Sequence, residues 1–118
     1  MKKTISIKKN EDFRKVYGTG KSYANKNLVM YMIKNGTDEN RLGISVSKKV
    51  GNSVIRHRIT RLLRESYRLN EDRVLGGLDI VVVARIGAKG KNYYEIEKSL
   101  LHLMKLHRIL IENWKKRI

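Results

Sequence analysis

The chain has 118 residues, 41% of them hydrophobic, which suits one domain with a modest core and excludes the composition of a disordered segment. Twenty-seven Lys and Arg stand against 11 Asp and Glu, a net charge of +16 that repels itself in any compact state and points to a polyanionic partner, nucleic acid before all. Cysteine is absent, so a disulfide framework, a thiolate metal site and a thiol nucleophile are excluded.

No apolar run approaches the roughly 20 residues of a membrane span, and the opening "MKKTISIKKNEDF" lacks the apolar stretch of a signal peptide. The positive charge is spread along the chain and aromatics make up only 7%, which argues against a lipid-surface helix. With no repeat, linker, low-complexity run or proline, the reading is a single domain over 1–118, cytoplasmic, with no membrane partner.

In chain order, "NEDFRKVYGTG" predicts a short helix with Asn10 as N-cap, Glu11 and Asp12 in its first turn, and a stop at Gly18 and Gly20. Phe13, Val16 and Tyr17 share one face of it. "NLVMYMIKN" reads as a strand and "NGTDEN" as a loop or hairpin connection. "RLGISVSKK" is a cleaner strand, because Leu42, Ile44 and Val46 alternate with Gly43, Ser45 and Ser47. Asn52 or Ser53 caps a helix running to about Asn70, and "LGG" closes the loop after it. "DIVVVARI" is a nearly continuous β-branched run, the pattern of a strand buried on both faces. A last helix starts near Asn92 or Tyr93, with Ile96, Leu100, Leu103, Met104, Ile111 and Trp114 as its buried stripe. The order helix, two strands or more, helix, strand, helix makes an α+β sandwich.

The middle helix carries the charge anomaly. On a wheel of about 100° per residue, Ile55, Ile59, Leu62, Leu63 and Leu69 gather on one side with Ser66 among them. His57, Arg61, Arg64 and Arg68 fall opposite, within an arc of roughly 60°. Arg56 and Arg58 flank the apolar stripe near the start, where the helix dipole disfavours cations. An ordinary solvated face would mix signs in i, i+4 pairs, yet this helix holds six basic or potentially basic side chains and one carboxylate, Glu65. Phosphate neutralises such a face best: the arginine fork bonds its oxygens two at a time, and Gly51 with the free N–H groups of the helix start lets a phosphate approach. His57 is either a neutral hydrogen-bonding group or a charge acquired beside phosphate.

A second surface emerges around the strand with Ser45 and Ser47. Its other face builds core, so the serine face meets solvent or ligand, and Lys49 continues it. Tyr31 shares its side of the preceding strand with Val29 and Ile33. Aromatic platforms beside lysines meet the needs of an unpaired nucleic-acid strand. From the residues alone, Phe13 and Tyr17 serve equally well as plain core packing. A polypeptide nuclease would need clustered carboxylates for metals or an acid–base pair. The acidic residues are scattered, and His102 and His107 stand five apart, off the shared face that helical ligands four apart would have. No intrinsic catalytic residue and no protein metal site are therefore assigned.

The strings "NEDFRKVYGTGKSYANKNLVMY" and "LGISVSKKVGNSVIRHRITRLLRE" resemble the protein subunit of bacterial ribonuclease P, in matching order from about residue 8 to 112. The most specific part is the Ser-x-x-Lys-Lys-x-Gly-Asn lead-in to the arginine helix. One departure stands out: the family usually has Arg-Asn-Arg where this chain has Arg56-His57-Arg58. The resemblance implies an endoribonuclease that is a ribonucleoprotein: a catalytic RNA, with Mg²⁺ held mainly by RNA and substrate, removes the 5′ leader of precursor tRNA. The polypeptide binds both RNAs and broadens substrate recognition, and no small-molecule substrate is implied. Carried over, Arg56, His57, Arg58, Arg61, Arg64 and Arg68 face the catalytic RNA. Phe13, Tyr17, Tyr31, Ser45, Ser47, Lys48 and Lys49 line the cleft for the single-stranded leader. The implied fold is a small α–β sandwich, ribosomal protein S5 domain 2-like, with a mainly antiparallel sheet of about four strands, three helices and a βαβ crossover of left hand. The general rule for crossovers would give the opposite hand. Composition alone serves a ribosomal or other structural-RNA-binding protein equally well, and a metal-dependent nuclease acting alone is the third reading.

Overall fold

In the computed structural model, which describes residues 4–111, the apolar run forms strand β5 (Leu78–Ala84) at the centre of a five-stranded sheet. Six of its seven residues are buried, so the β-branched run is explained by core on both faces. Around it stand β1 (Ile5–Ser6), β2 (Lys21–Ala24), β3 (Leu28–Lys34) and β4 (Arg41–Val46), in the order β1-β4-β5-β3-β2. Both β1 on β4 and β4 on β5 run parallel, whereas β5 on β3 and β3 on β2 run antiparallel. The α+β sandwich is as expected, with five strands rather than about four because two-residue β1 adds an edge.

Since β5 inserts between β3 and β4, residues 35–40 are a loop between non-neighbouring strands and not a hairpin. Asn35 organises that loop: its Oδ1 accepts from Thr37 N–H at 2.9 Å, and its own N–H donates to Gly77 O at 2.9 Å.

Three helices cover the two faces. Helix α1 (Asn10–Thr19) closes one side, with Val16 fully buried against Ile7 and Val81. Its N-cap is Lys9, which makes no side-chain cap; Asn10, expected there, is already helical. Helices α2 (Ser53–Asn70) and α3 (Tyr93–Leu106) cover the other side over a larger cluster that includes Leu28, Met30, Ile59, Leu63, Ile80 and Leu100. Both open as the sequence implies. The Asn52 side chain accepts from Ile55 N–H at 3.0 Å, and Asn92 forms a capping box with Glu95.

Two apolar assignments shift. Leu69 is 58% exposed, and Tyr67 takes the inward place, its hydroxyl 3.0 Å from Thr4 Oγ1. The larger ring buries more area while its polar tip keeps a partner. Along α3, Ile96, Leu100, Leu103 and Met104 are buried as expected, but the helix stops at Leu106, so Ile111 lies beyond it; Trp114 falls outside the described residues. No helix among the described residues is long and apolar enough to cross a membrane.

Candidate nucleic-acid interface

Helix α2 presents its charge as the wheel implies. Ile59, Leu63, Ser66, Tyr67 and Asn70 are buried, while His57, Arg61, Arg64 and Arg68 are exposed on the side away from the sheet. Among the described residues Arg61 and Arg64 have no ion-pair partner; Arg68 pairs with Glu65 one turn back. That pair holds the Arg68 guanidinium firmly charged, first through the hydrogen bond it donates to the Glu65 carboxylate. Arg58 lies on the flank of the helix beside Val54 and Leu62. Arg56 is half-buried, and its backbone N–H bonds Asn52 O at 2.9 Å, closing the first turn. The arginines at this helix start thus differ: Arg58 is exposed and Arg56 largely packed.

On the opposite face of the sheet, Phe13, Tyr17 and Ser45 line a groove of about 430 Å³ together with Asn10 and Arg14. Phe13 lies across β4, where a Cβ on Gly43 would come within 2.7 Å of its ring. Only glycine there lets the ring settle on the strand backbone. Tyr17 stands 6.3 Å from Phe13 by ring centroids and meets Tyr31 edge-on at 4.9 Å. With Tyr17 38% exposed and Phe13 half-buried, the three rings make a wall with one side in the core and one side open. Phe13 therefore packs partly into the core and partly lines the groove.

The lysine end of the expected cleft is arranged differently. Strand β4 stops at Val46, and Lys48 and Lys49 sit in the turn that follows rather than continuing its face. Ser47 and Lys49 line a neighbouring recess, while Lys48 is exposed.

Sequence reasoning missed the group that holds the groove's helix in place. Asp79 is 2% exposed, and Arg41 of β4 binds it with both ends of its fork, Nε to Oδ1 at 2.9 Å and Nη2 to Oδ2 at 2.7 Å. Asn35 Nδ2 donates to Asp79 Oδ1 at 2.9 Å, and Arg41 Nη1 reaches Asp12 of α1 at 3.4 Å. The Arg41 hydrogen bonds hold the Asp79 carboxyl below the usual range against the opposing cost of burial. The signal was a lone carboxylate at the head of a β-branched run: a strand buried on both faces tolerates one only with a cation beside it.

The histidines separate. His102 Nδ1 lies 3.1 Å from Asn25 Nδ2, whereas His107 is buried after the end of α3 with Nε2 2.8 Å from Met30 O. Burial pushes the His107 pKa down, which favours the neutral ring. No group of three His, Asp or Glu side chains that could hold a metal ion occurs among the described residues.

The family model described as Ribonuclease P matches residues 1–108. The ribonuclease P protein component of Lachnoclostridium phytofermentans is 65% identical over 105 residues, covering 89% of this chain and 90% of the relative. That of Alkaliphilus metalliredigens is 49% identical over 110 residues, covering 93% and 99%. Among solved structures, the Staphylococcus aureus RNase P protein superposes with a TM-score of 0.84 at 42% identity, covering 92% of this chain and 99% of that one. The Thermotoga maritima protein gives 0.78 at 32% identity, covering 86% and 96%.

Proposed function

Because the chain belongs to the ribonuclease P protein family, and so is a subunit of the tRNA-processing ribonucleoprotein, we propose that it bridges two RNAs from opposite faces of its sheet. The exposed arc of α2, His57, Arg61, Arg64 and Arg68 with Arg58 on its flank and Arg56 at its base, docks on the catalytic RNA. The groove of Phe13, Tyr17, Tyr31 and Ser45, with Ser47, Lys48 and Lys49 at its end, takes the single-stranded 5′ leader of precursor tRNA. The observation that carries this reading is the segregation itself: a cationic helix face whose one carboxylate, Glu65, pairs with Arg68 and leaves Arg61 and Arg64 without acidic partners on one side, and an aromatic wall on the other. Phosphates neutralise the first and unpaired bases stack on the second.

Hydrolysis belongs to the RNA in this reading. The polypeptide adds affinity and positions the leader, which broadens the range of precursors processed. Mg²⁺ is held by catalytic RNA and substrate in this reading. Purified protein with precursor tRNA and Mg²⁺ should leave the substrate intact, and added catalytic RNA should restore 5′ processing at low salt. Cleavage by the protein alone would refute this division of labour.

Arg61→Ala and Arg64→Ala should each weaken binding to the catalytic RNA and reduce the slope of log affinity against log salt by about 0.9. A titration across salt concentrations checks this, and an unchanged slope would mean that these arginines only face water.

A further inference from the structure

The charged face of α2 holds one group whose charge is not fixed. His57 is exposed among the arginines, and among the described residues it has no hydrogen bond or ion pair. It forms one wall of a hollow of about 660 Å³ with Ser53, Val54, Arg58, Arg61 and Leu62. Val54 is 76% exposed, which gives this open shelf an apolar floor beneath a cationic rim.

Every charged group that faces the ring comes from α2 itself, because no other element among the described residues lines the hollow. Arg58 stands beside His57, and Arg61 lies one turn on. The single carboxylate, Glu65, is two turns away and pairs with Arg68. A negative charge to balance an imidazolium at this position therefore has to come from outside the chain, and the phosphate of a docked RNA supplies it. Imidazole is the side chain that ordinarily changes charge between about pH 5 and 8. As a neutral ring it offers phosphate one N–H; as a cation it offers two, together with its charge. The arginines keep their charge throughout that range and contribute no pH dependence. His102, beside Asn25, and His107, buried against Met30 O, both lie outside the hollow.

We propose that His57 makes docking on the catalytic RNA proton-linked: the ring takes up a proton as a phosphate enters the hollow, and the chain binds that RNA more tightly as the pH falls. The proposal rests on the catalytic-RNA reading of α2 and adds a regulation to it. By the reciprocity of linkage, a phosphate that favours the charged ring is itself bound more tightly once the ring is charged.

The test titrates the full chain against the catalytic RNA at about pH 5.5 and about pH 8, on either side of the imidazole range, each across salt concentrations. The wild type should bind about fivefold or more tightly at the lower pH. Its salt slope there should be steeper by about 0.9, one added phosphate contact. His57→Asn keeps a hydrogen-bonding side chain that does not titrate; it should lose both differences and behave at either pH like the wild type at the higher one. His57→Lys carries a fixed charge and should behave at either pH like the wild type at the lower one. Because His57 is exposed and unbonded, both variants should keep the fold. A pH response shared equally by all three chains belongs to the RNA and overturns the proposal, as does a wild type with the same affinity and slope at both pH values. Arg61→Ala is the parallel arm. A reduced salt slope there with no His57-dependent pH response rejects the proton linkage alone, whereas an unchanged slope rejects the docking reading on which it rests.

Discussion

Arg41→Ala should destabilise the fold by about 3 kcal/mol, since truncating one partner of a buried pair strands the other charge. Among the described residues Asp79, 2% exposed, would keep only the Asn35 amide as hydrogen-bond partner. The Arg41 side chain is itself one-third exposed, which allows some water to relax the site and places the loss at the lower end of the range for buried pairs. A melting temperature lower by roughly 10 °C is the expected reading for a domain of this size. Asp79→Asn should cost less, because an amide is neutral and nearly the same shape.

The pH dependence has a definite sign. The Asp79 carboxyl is depressed below its ordinary value, chiefly by the Arg41 hydrogen bonds. Its contribution to stability is thus complete above the ordinary carboxylate range and is lost as the pH falls through that range toward the depressed value. Arg41→Ala should therefore flatten the acid limb of a plot of melting temperature against pH. If wild type and variant lose stability in parallel on acidification, the pair is not what holds this end of the sheet. Since Arg41 also reaches Asp12 of α1, the same variant should loosen the helix that carries Phe13 and Tyr17.

The second large effect belongs to the aromatic wall. Phe13→Ala or Tyr17→Ala should cost about 1–3 kcal/mol of affinity per stacked base, roughly 5- to 150-fold, for precursor tRNA with a leader. Mature tRNA should bind as before. Tyr17 gives the cleaner experiment: it is 38% exposed, whereas the Phe13 ring is seated on β4 above Gly43 and its loss also removes packing. Binding of the catalytic RNA is the internal control. Equal losses for precursor and mature tRNA would mean a distorted fold or a general RNA surface rather than a leader groove.

Periodicity was enough wherever one force set the local structure. The β-branched run of β5 needed only burial on both faces, and the helix starts at Asn52 and Asn92 needed only a side chain to satisfy free N–H groups. Failures came where a distant partner decided. Nothing local to "NGTDEN" reveals that β5 will come between β3 and β4, so a hairpin and a crossing loop look alike. Tyr67 turns inward and Leu69 outward because Thr4, far off in sequence, offers the tyrosine hydroxyl a partner. Strand β1 has two residues, too short to show a period. In the candidate site, the cationic arc was legible because helix geometry alone creates it. The Arg41–Asp79 pair joins residues 38 apart, so it could not be read from spacing.

In the proposed function, the cationic face of α2 supplies the grip on the catalytic RNA. Its most direct measurement is leader removal by holoenzyme reconstituted with a chain carrying Arg61→Glu, Arg64→Glu and Arg68→Glu together, at ordinary ionic strength. All three side chains are exposed, so the variant should fold and melt close to the wild type. A folded protein that no longer supports 5′ processing is expected, because like charges repel where phosphates should dock. Processing at the wild-type rate by that variant would contradict it.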